Sequence, residues 1–380
     1  MFKKSMSLLL VLVLMVSLVV GCAPKQEPAE QPPAETPEAP AAELVKVGMV
    51  TDSGTIDDKS FNQGTWDGVL KYKDAHGTIE EKYLQPAGEQ HADYVNAIND
   101  LVDAGYEIII TPGFKFETAV NEAAAKHTDS TFILIDGMTH SGDFNFVKHD
   151  NVVSIFFNEH EAGFLAGVAA ALETKTGKLG YIGGMEIPPV QKFGWGFVAG
   201  VNYANETFGT KAEVTEYIYQ GTFTDVAAGK TLAAGMYNKG IDIIFAAAGG
   251  VGVGVFNEAK QRAEKGERVF VVGVDVDQFE TGKITSGASV TLTSAMKRID
   301  VAAYNYIDHK IKGTFPGGEI ITLTLADEGV GLPAENPNLT DDTITKVEQA
   351  KQDILDKKVV VPSTEDEMKA EGLERFLTKK

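Results

Sequence analysis

The chain has 380 residues, one cysteine and a formal net charge of −20. That length exceeds the size at which a single hydrophobic core keeps growing, so two domains are expected. The acidity, uncompensated by any basic cluster, excludes partners that demand phosphate neutralisation, nucleic acid above all.

In chain order, Lys3 and Lys4 precede an uncharged apolar run from Met6 to Val20, and Gly21-Cys22 follows. The run is short for a membrane span and has the flanks of a secretory signal, so residues 1–21 are expected to be a signal peptide. Leu18-Val19-Val20-Gly21-Cys22 resembles a bacterial lipobox, with Val20 where a smaller residue is preferred. Cys22 is therefore the expected lipidation site, against an ordinary signal with an incidental cysteine or a membrane anchor. Residues 22–43 are rich in Pro, Glu and Ala and read as a disordered tether. The expected location is the outer face of a cell membrane, lipid-anchored. Lack of disulfides is compatible with that address, because a chain this long can bury a sufficient core without them.

From Val45 the pattern alternates. Val45–Thr51 reads as a buried strand, stopped by the turn cluster Asp52-Ser53-Gly54, and Ser60 is placed to cap a helix through Asn62, Trp66, Val69 and Leu70. Strands are expected at 78–84, 106–111, 131–135 and 152–156, with helices at 94–104, 116–127 and 159–173 between and after them. A fresh set begins at Lys178, with strands at 178–182, 212–219, 242–247 and 268–273 and helices at 190–208, 225–238 and 254–265. After Gly282 come a strand at 288–292, a long helix at 293–311, a strand at 320–325 and an amphipathic helix at 340–356. The short connections suit βαβ units, hence parallel sheets covered by helices, with all strand C-terminal ends along one edge of each sheet.

Polar residues recur at those ends: Asp52 through Asn62, Asp136-Gly137, Gln191 to Trp195, Ala248-Gly249-Gly250, and Asp275 with Asp277. Each alone is ordinary for an α/β protein; together they imply a ligand held between two lobes. Lys297 is expected in the first turn of a helix. The run Gly249-Gly250-Val251-Gly252-Val253-Gly254 lacks the third glycine of a dinucleotide fingerprint and suits a tight turn beside a sugar better. The seven histidines show no metal-ligand spacing, no G-x-S-x-G elbow is present, and Asp57-Asp58 reads as loop acidity or helix N-terminal charge. No catalytic residue, metal or cofactor is expected. Of Phe193, Trp195 and Phe197, Phe197 is the expected core residue.

The segments MVTDSGTIDDKSFNQGTWDG, ILIDG, FNEHEAGFLAG, YIGGMEIPPVQKFGWGFVAGV, IIFAAAGGVGVGV, VVGVDVDQ and TSAMKRIDVA resemble the basic membrane protein family of ABC-transporter substrate-binding lipoproteins. The resemblance runs from about Val45 to the C-terminus, and the family includes purine nucleoside receptors. It implies an α/β type I periplasmic-binding-protein fold, two doubly wound parallel-sheet lobes joined by a hinge. The expected first lobe is 44–156 plus 285–315, the second 157–284 plus 316–380. It further implies that Phe61 and Phe193 sandwich a base, that Asn62 and Asp136 bind its edge, and that Asp275 accepts ribose hydroxyls. Gly249-Gly250 backbone would lie close by, Lys297 would reach the sugar oxygens, and Asp52 and Ser60 would shape the first loop. The implied partners are a small-molecule nucleoside, an ABC permease and, through the lipid, the membrane; a monomer is expected. Two alternatives stand: a receptor for a sugar or sugar-like signal, and, in another class, a surface nucleoside hydrolase.

Overall fold

The computed structural model describes residues 43–377. The expected signal peptide, Cys22 and the tether up to Ala42 lie outside the described residues. The chain opens with β1 (Val45–Val50), α1 (Phe61–His76), β2 (Ile79–Leu84), α2 (His91–Asp103), β3 (Ile108–Pro112), α3 (Glu117–Lys126), β4 (Thr131–Ile135) and β5 (Val152–Phe157). It continues with α4 (Glu159–Glu173), β6 (Lys178–Gly183), α5 (Pro188–Phe208), β7 (Glu213–Tyr219), α6 (Val226–Asn238), β8 (Ile243–Ala247), α7 (Gly250–Ala263) and β9 (Phe270–Asp275). The last part holds β10 (Thr291–Lys297), α8 (Ile299–Ile311), β11 (Ile320–Leu323), β12 (Val330–Gly331), α9 (Asp341–Leu355) and α10 (Glu365–Ala370).

The central strands are short apolar runs covered on both faces, as parallel sheets require, and β3, β4 and β8 are buried along their whole length; the edge strands β2, β7 and β11 are partly exposed. Local chemistry sets the helix ends. Gln90 and Asp93 form a capping box on α2, prolines open α5, and left-handed Gly77 and Gly209 close α1 and α5.

Two six-stranded sheets result, in the orders β11-β5-β4-β3-β1-β2 and β12-β10-β9-β8-β6-β7. All neighbours are parallel except β12, which runs antiparallel to β10. The two sheets share one winding, β2-β1-β3-β4-β5 matching β7-β6-β8-β9-β10, a repeat of topology that the residues do not betray. The order reverses between β1 and β3 and between β6 and β8, and open α/β sheets bind ligands at such switch points. The expected fold of two doubly wound α/β lobes is met. Helices α2 and α3 pack one face of the first sheet, and α6 and α7 one face of the second.

The chain passes between lobes from β5 to α4, from β10 to α8 and from β11 to β12. Two strands therefore sit on the other sheet from the one expected: β10 extends the second sheet beside β9, and β11 extends the first beside β5. Only α8, packed on α1, puts part of 285–315 in the first lobe. The long helix expected from Thr293 is likewise corrected. Residues 291–297 are strand because their side chains are tied into the second lobe, Thr293 Oγ1 donating to Asn336 and Ser294 Oγ accepting from the Gln278 N–H. That tertiary anchoring overrides the helix propensity of Ala295-Met296-Lys297.

Helices α4 and α5 meet along glycines from both sides. A Cβ on Gly163 or Gly167 would lie 2.2 or 2.1 Å from the Phe193 or Phe197 carbonyl oxygen. One on Gly196 or Gly200 would lie 2.0 Å from the oxygen of His160 or Phe164. Only glycine permits backbones this close. The seam fixes Phe193 and the start of α4 relative to each other.

Candidate functional site

The loop after β1 is built around a helix start. Asp58, not Ser60, caps α1: its carboxylate accepts the N–H groups of Ser60, Asn62 and Gln63 at 2.9, 2.9 and 3.1 Å. Ser60 makes no side-chain cap. Its hydroxyl instead reaches the other lobe and donates to Asp275 Oδ2 at 2.5 Å. The Asn62 amide is spent inside the loop, donating to Asp52 and Asp58 and accepting from the Asp52 N–H. Asn62, expected at a base edge, is thus engaged within the loop. Burial raises the Asp52 and Asp58 carboxyls above their ordinary value. Phe61, the first residue of α1, is left half-buried beside this network.

Two aspartates at strand ends face each other across the lobes. Asp136 follows β4 and Asp275 ends β9, and both are buried with left-handed backbone, φ 56 and 65. Such φ is uncommon outside glycine, least so for Asp and Asn. Between them lies Lys297, the last residue of β10 rather than a residue of a helix, and 3% exposed. Its Nζ is 2.5 Å from Asp136 Oδ2, 3.7 Å from Glu159 Oε1 and 3.9 Å from Asp275 Oδ1. It also lies 4.7 Å from the ring centroid of Phe61, 5.6 Å from Phe157 and 5.7 Å from Phe193. Burial works against this ammonium, but the three carboxylates outweigh it and hold its pKa above the ordinary lysine value. Burial pushes Asp275 up to about 6. Asp136 Oδ1 is buried and has no hydrogen-bond partner among the described residues.

The second lobe supplies the opposite wall. Phe193 is buried on α5, and Gly249, at φ 54 and ψ −127, turns the chain from β8 into α7, which starts at Gly250 rather than Gly254. A Cβ on Gly250 would come 2.9 Å from the Phe223 carbonyl oxygen. Ten residues were expected in a binding site, and all ten line one cleft: Asp52, Ser60, Phe61, Asn62, Asp136, Phe193, Gly249, Gly250, Asp275 and Lys297. The cleft wall is apolar with a few convergent polar groups, the pattern of small-molecule sites. Phe114, Pro189 and Phe223 complete the apolar wall without having been expected. Asp277 is exposed and turned away, accepting the Phe279 N–H. Its neighbour Gln278 is buried instead and bridges the lobes, donating to the Lys59 carbonyl at 2.7 Å while accepting the Val274 N–H. Phe197 is core as expected, and Trp195 is also buried.

Glu159 was not among the expected site residues. Glu159 is 1% exposed, and His160 is also buried. Glu117 was also missed; it accepts the Met138 N–H and pairs with His140, bracing the loop that follows Asp136. Among the described residues no group of three or more His, Cys, Asp or Glu side chains is arranged to hold a metal ion, and no helix is long and apolar enough to cross a membrane.

A family model described as Bmp, ABC transporter substrate-binding protein PnrA-like, matches residues 45–365. The chain is 38% identical over 326 residues to the CD4+ T-cell-stimulating antigen of Listeria monocytogenes, covering 83% of this chain and 87% of that protein. It is 35% identical over 327 residues to the ABC transporter nucleoside-binding protein BmpA of Lactococcus lactis, covering 84% and 89%. Among solved structures, a solute-binding protein of an ABC transporter system from Aeropyrum pernix K1 aligns with a TM-score of 0.73 and 27% identity, over 87% of this chain and 98% of that one.

Proposed function

The chain belongs to the Bmp family of PnrA-like ABC transporter substrate-binding proteins, and from that premise we propose that it captures nucleosides, purine nucleosides in particular, and delivers them to a membrane permease. Capture is between the two lobes, without chemistry on the ligand. The protein works as a monomer at the outer membrane face, held by lipid on Cys22. The observation that carries the ligand assignment is the pairing of Phe61 and Phe193. They come from different lobes yet flank one buried ammonium, with a strand-end aspartate to either side.

A flat heterocycle entering between those rings gains about 1–3 kcal/mol by stacking, largely regardless of which base it is. Selectivity then falls to Asp136, whose Oδ2 is held by Lys297 while Oδ1 is free to accept. An acceptor there requires an N–H donor on the base edge, which adenine and guanine carry as exocyclic amines and hypoxanthine as a ring N–H. Asp275 suits paired sugar hydroxyls, since hydrogen bonds to a charged group are about twice as strong as neutral ones. The nucleoside-binding name of the Lactococcus relative supports the same class. Isothermal calorimetry with adenosine, guanosine, inosine, cytidine, uridine and ribose tests the reading. Tight binding of the purine nucleosides is expected. Binding of ribose alone would replace it with a sugar receptor, and release of free hypoxanthine from inosine would replace it with a hydrolase.

A further inference from the structure

We propose that Glu159, which the cleft wall hides, is a positioning residue for Lys297, and that ligand capture takes up a proton at its carboxyl. The proposal deepens the nucleoside reading and rests on it.

Glu159 is the first residue of α4, directly after the chain crosses from the first lobe to the second. The cluster it joins has three nearly fully buried carboxyls, Asp136, Asp275 and Glu159, around one buried ammonium. Lys192 of α5 adds a second, partly exposed cation 3.7 Å from Glu159 Oε2. Burying unbalanced charge is costly, so such a cluster favours keeping a proton. Hydrogen bonding says which carboxyl keeps it. Asp136 takes the short contact from Lys297, and Asp275 accepts from the Ser60 hydroxyl. Glu159 has neither, and its buried Oε2 has no hydrogen-bond partner among the described residues.

The remaining neighbours do not supply that proton's counterpart. His160, next in the chain, is held neutral by burial, which pushes it down to about 4, and it faces Lys192 and Glu367 of α10. Glu161 is turned away to the Leu325 N–H and the Asn158 amide. In agreement, burial pushes Glu159 up to about 7, with Lys297 pulling against it.

The consequence is mechanical. With Glu159 neutral, the ammonium is committed to Asp136 and Asp275 at the cleft wall. With Glu159 ionised, a third carboxylate competes for it from behind. A ligand that seals the cleft removes remaining water and favours the neutral form further, so binding takes up a proton and weakens as pH rises through about 7.

The test is calorimetry of a purine nucleoside on the wild type and Glu159→Gln from pH 6.5 to 8.5, in buffers of differing ionisation heat. The wild type should weaken about three- to tenfold across that range and show proton uptake, tenfold corresponding to one unit of pKa difference. Glu159→Gln should hold a flat, low-pH-like affinity with the nucleoside ranking unchanged. Equal weakening in both proteins, or none in the wild type, overturns the proposal, as does a variant weakened equally at every pH, which would mark a purely structural role. If no nucleoside binds, the functional reading fails, and the positioning claim is read from the unliganded protein. The folded protein holds this proton where the unfolded chain has lost it, so wild-type Tm should fall from pH 5 to 8 and the Gln variant should lose less. Equal slopes would overturn it.

Discussion

Asp136 and Asp275 occupy matching places, each left-handed at the end of a parallel strand, yet they are differently engaged. Asp136 is neutralised by direct contact with Lys297, whereas Asp275 is 3.9 Å from that ammonium and holds only a serine hydroxyl. Asp275 is accordingly the carboxyl that gains most from sugar hydroxyls. Asp275→Asn should weaken purine nucleosides about 10- to 150-fold, the range expected for a lost charged acceptor. It also has a pH signature opposite to that of Glu159. Burial raises the empty-site Asp275 to about 6, and donated hydroxyls would lower it in the complex. Wild-type affinity should therefore fall as pH drops through about 6, and Asp275→Asn should lack that acid limb. Calorimetry between pH 5 and 7 checks it, and an acid limb surviving in the variant would assign it to another group. The strand-end aspartates were legible because an apolar run that stops at Asp-Gly or Asp-x-Asp marks a strand tip. Asp58, Ser60 and Asn62 were legible as a group but not in their roles. Which of them caps, which bridges and which braces is decided by the backbone turn at Lys59, φ 60, and by a partner 215 residues away.

At the scale of elements, α4 carries the small residues Ala162, Gly163, Ala166, Gly167 and Ala170, whose partner lies on another helix. The reciprocal glycines of α5 explain why a helix so rich in Ala and Gly is stable here: backbone approach replaces side-chain packing. The same seam buries Glu159 and His160, which is why a Glu-His-Glu run, polar on paper, lies inside. A single added methyl should be costly. Gly196→Ala would set a Cβ 2.0 Å from the His160 carbonyl oxygen, and no side-chain movement can relieve a clash with backbone. A loss of about 1–3 kcal/mol is expected, as for an overpacked core. Denaturant unfolding should show a lowered midpoint with an unchanged slope. Gly235→Ala, on α6 with open space around its Cβ position, is the control and should be neutral or slightly stabilising. Equal effects of the two would remove the seam from the account. The strand β10 was misread for the reverse reason, since its anchors, Gln278 and Asn336, lie outside any local window.

For the whole molecule, the alternation of strands and helices was readable but lobe membership near the crossings was not, because β10 and β11 are adjacent in sequence to elements of both sheets. Among the described residues, three side-chain hydrogen bonds span the lobes at the cleft: Ser60 to Asp275, Lys297 to Asp136, and Gln278 to the Lys59 carbonyl. The first two use groups assigned to ligand binding; the third uses none. Gln278 can thus report on closure alone. Gln278→Glu keeps the oxygen that accepts the Val274 N–H but replaces the amide donor with an acceptor facing the Lys59 carbonyl. Closure should lose about 1–2 kcal/mol, a factor of about 5–30 in the closed-to-open ratio. A ligand that needs the closed form is weakened by the fraction no longer competent, whatever its base. Small-angle scattering of the unliganded variant should give a larger radius of gyration than the wild type. All nucleosides should weaken by one common factor, with their ranking kept. An altered ranking would mean that Gln278 shapes the cleft itself, and an unchanged radius with unchanged affinity would mean that the two remaining bridges suffice to hold the lobes together.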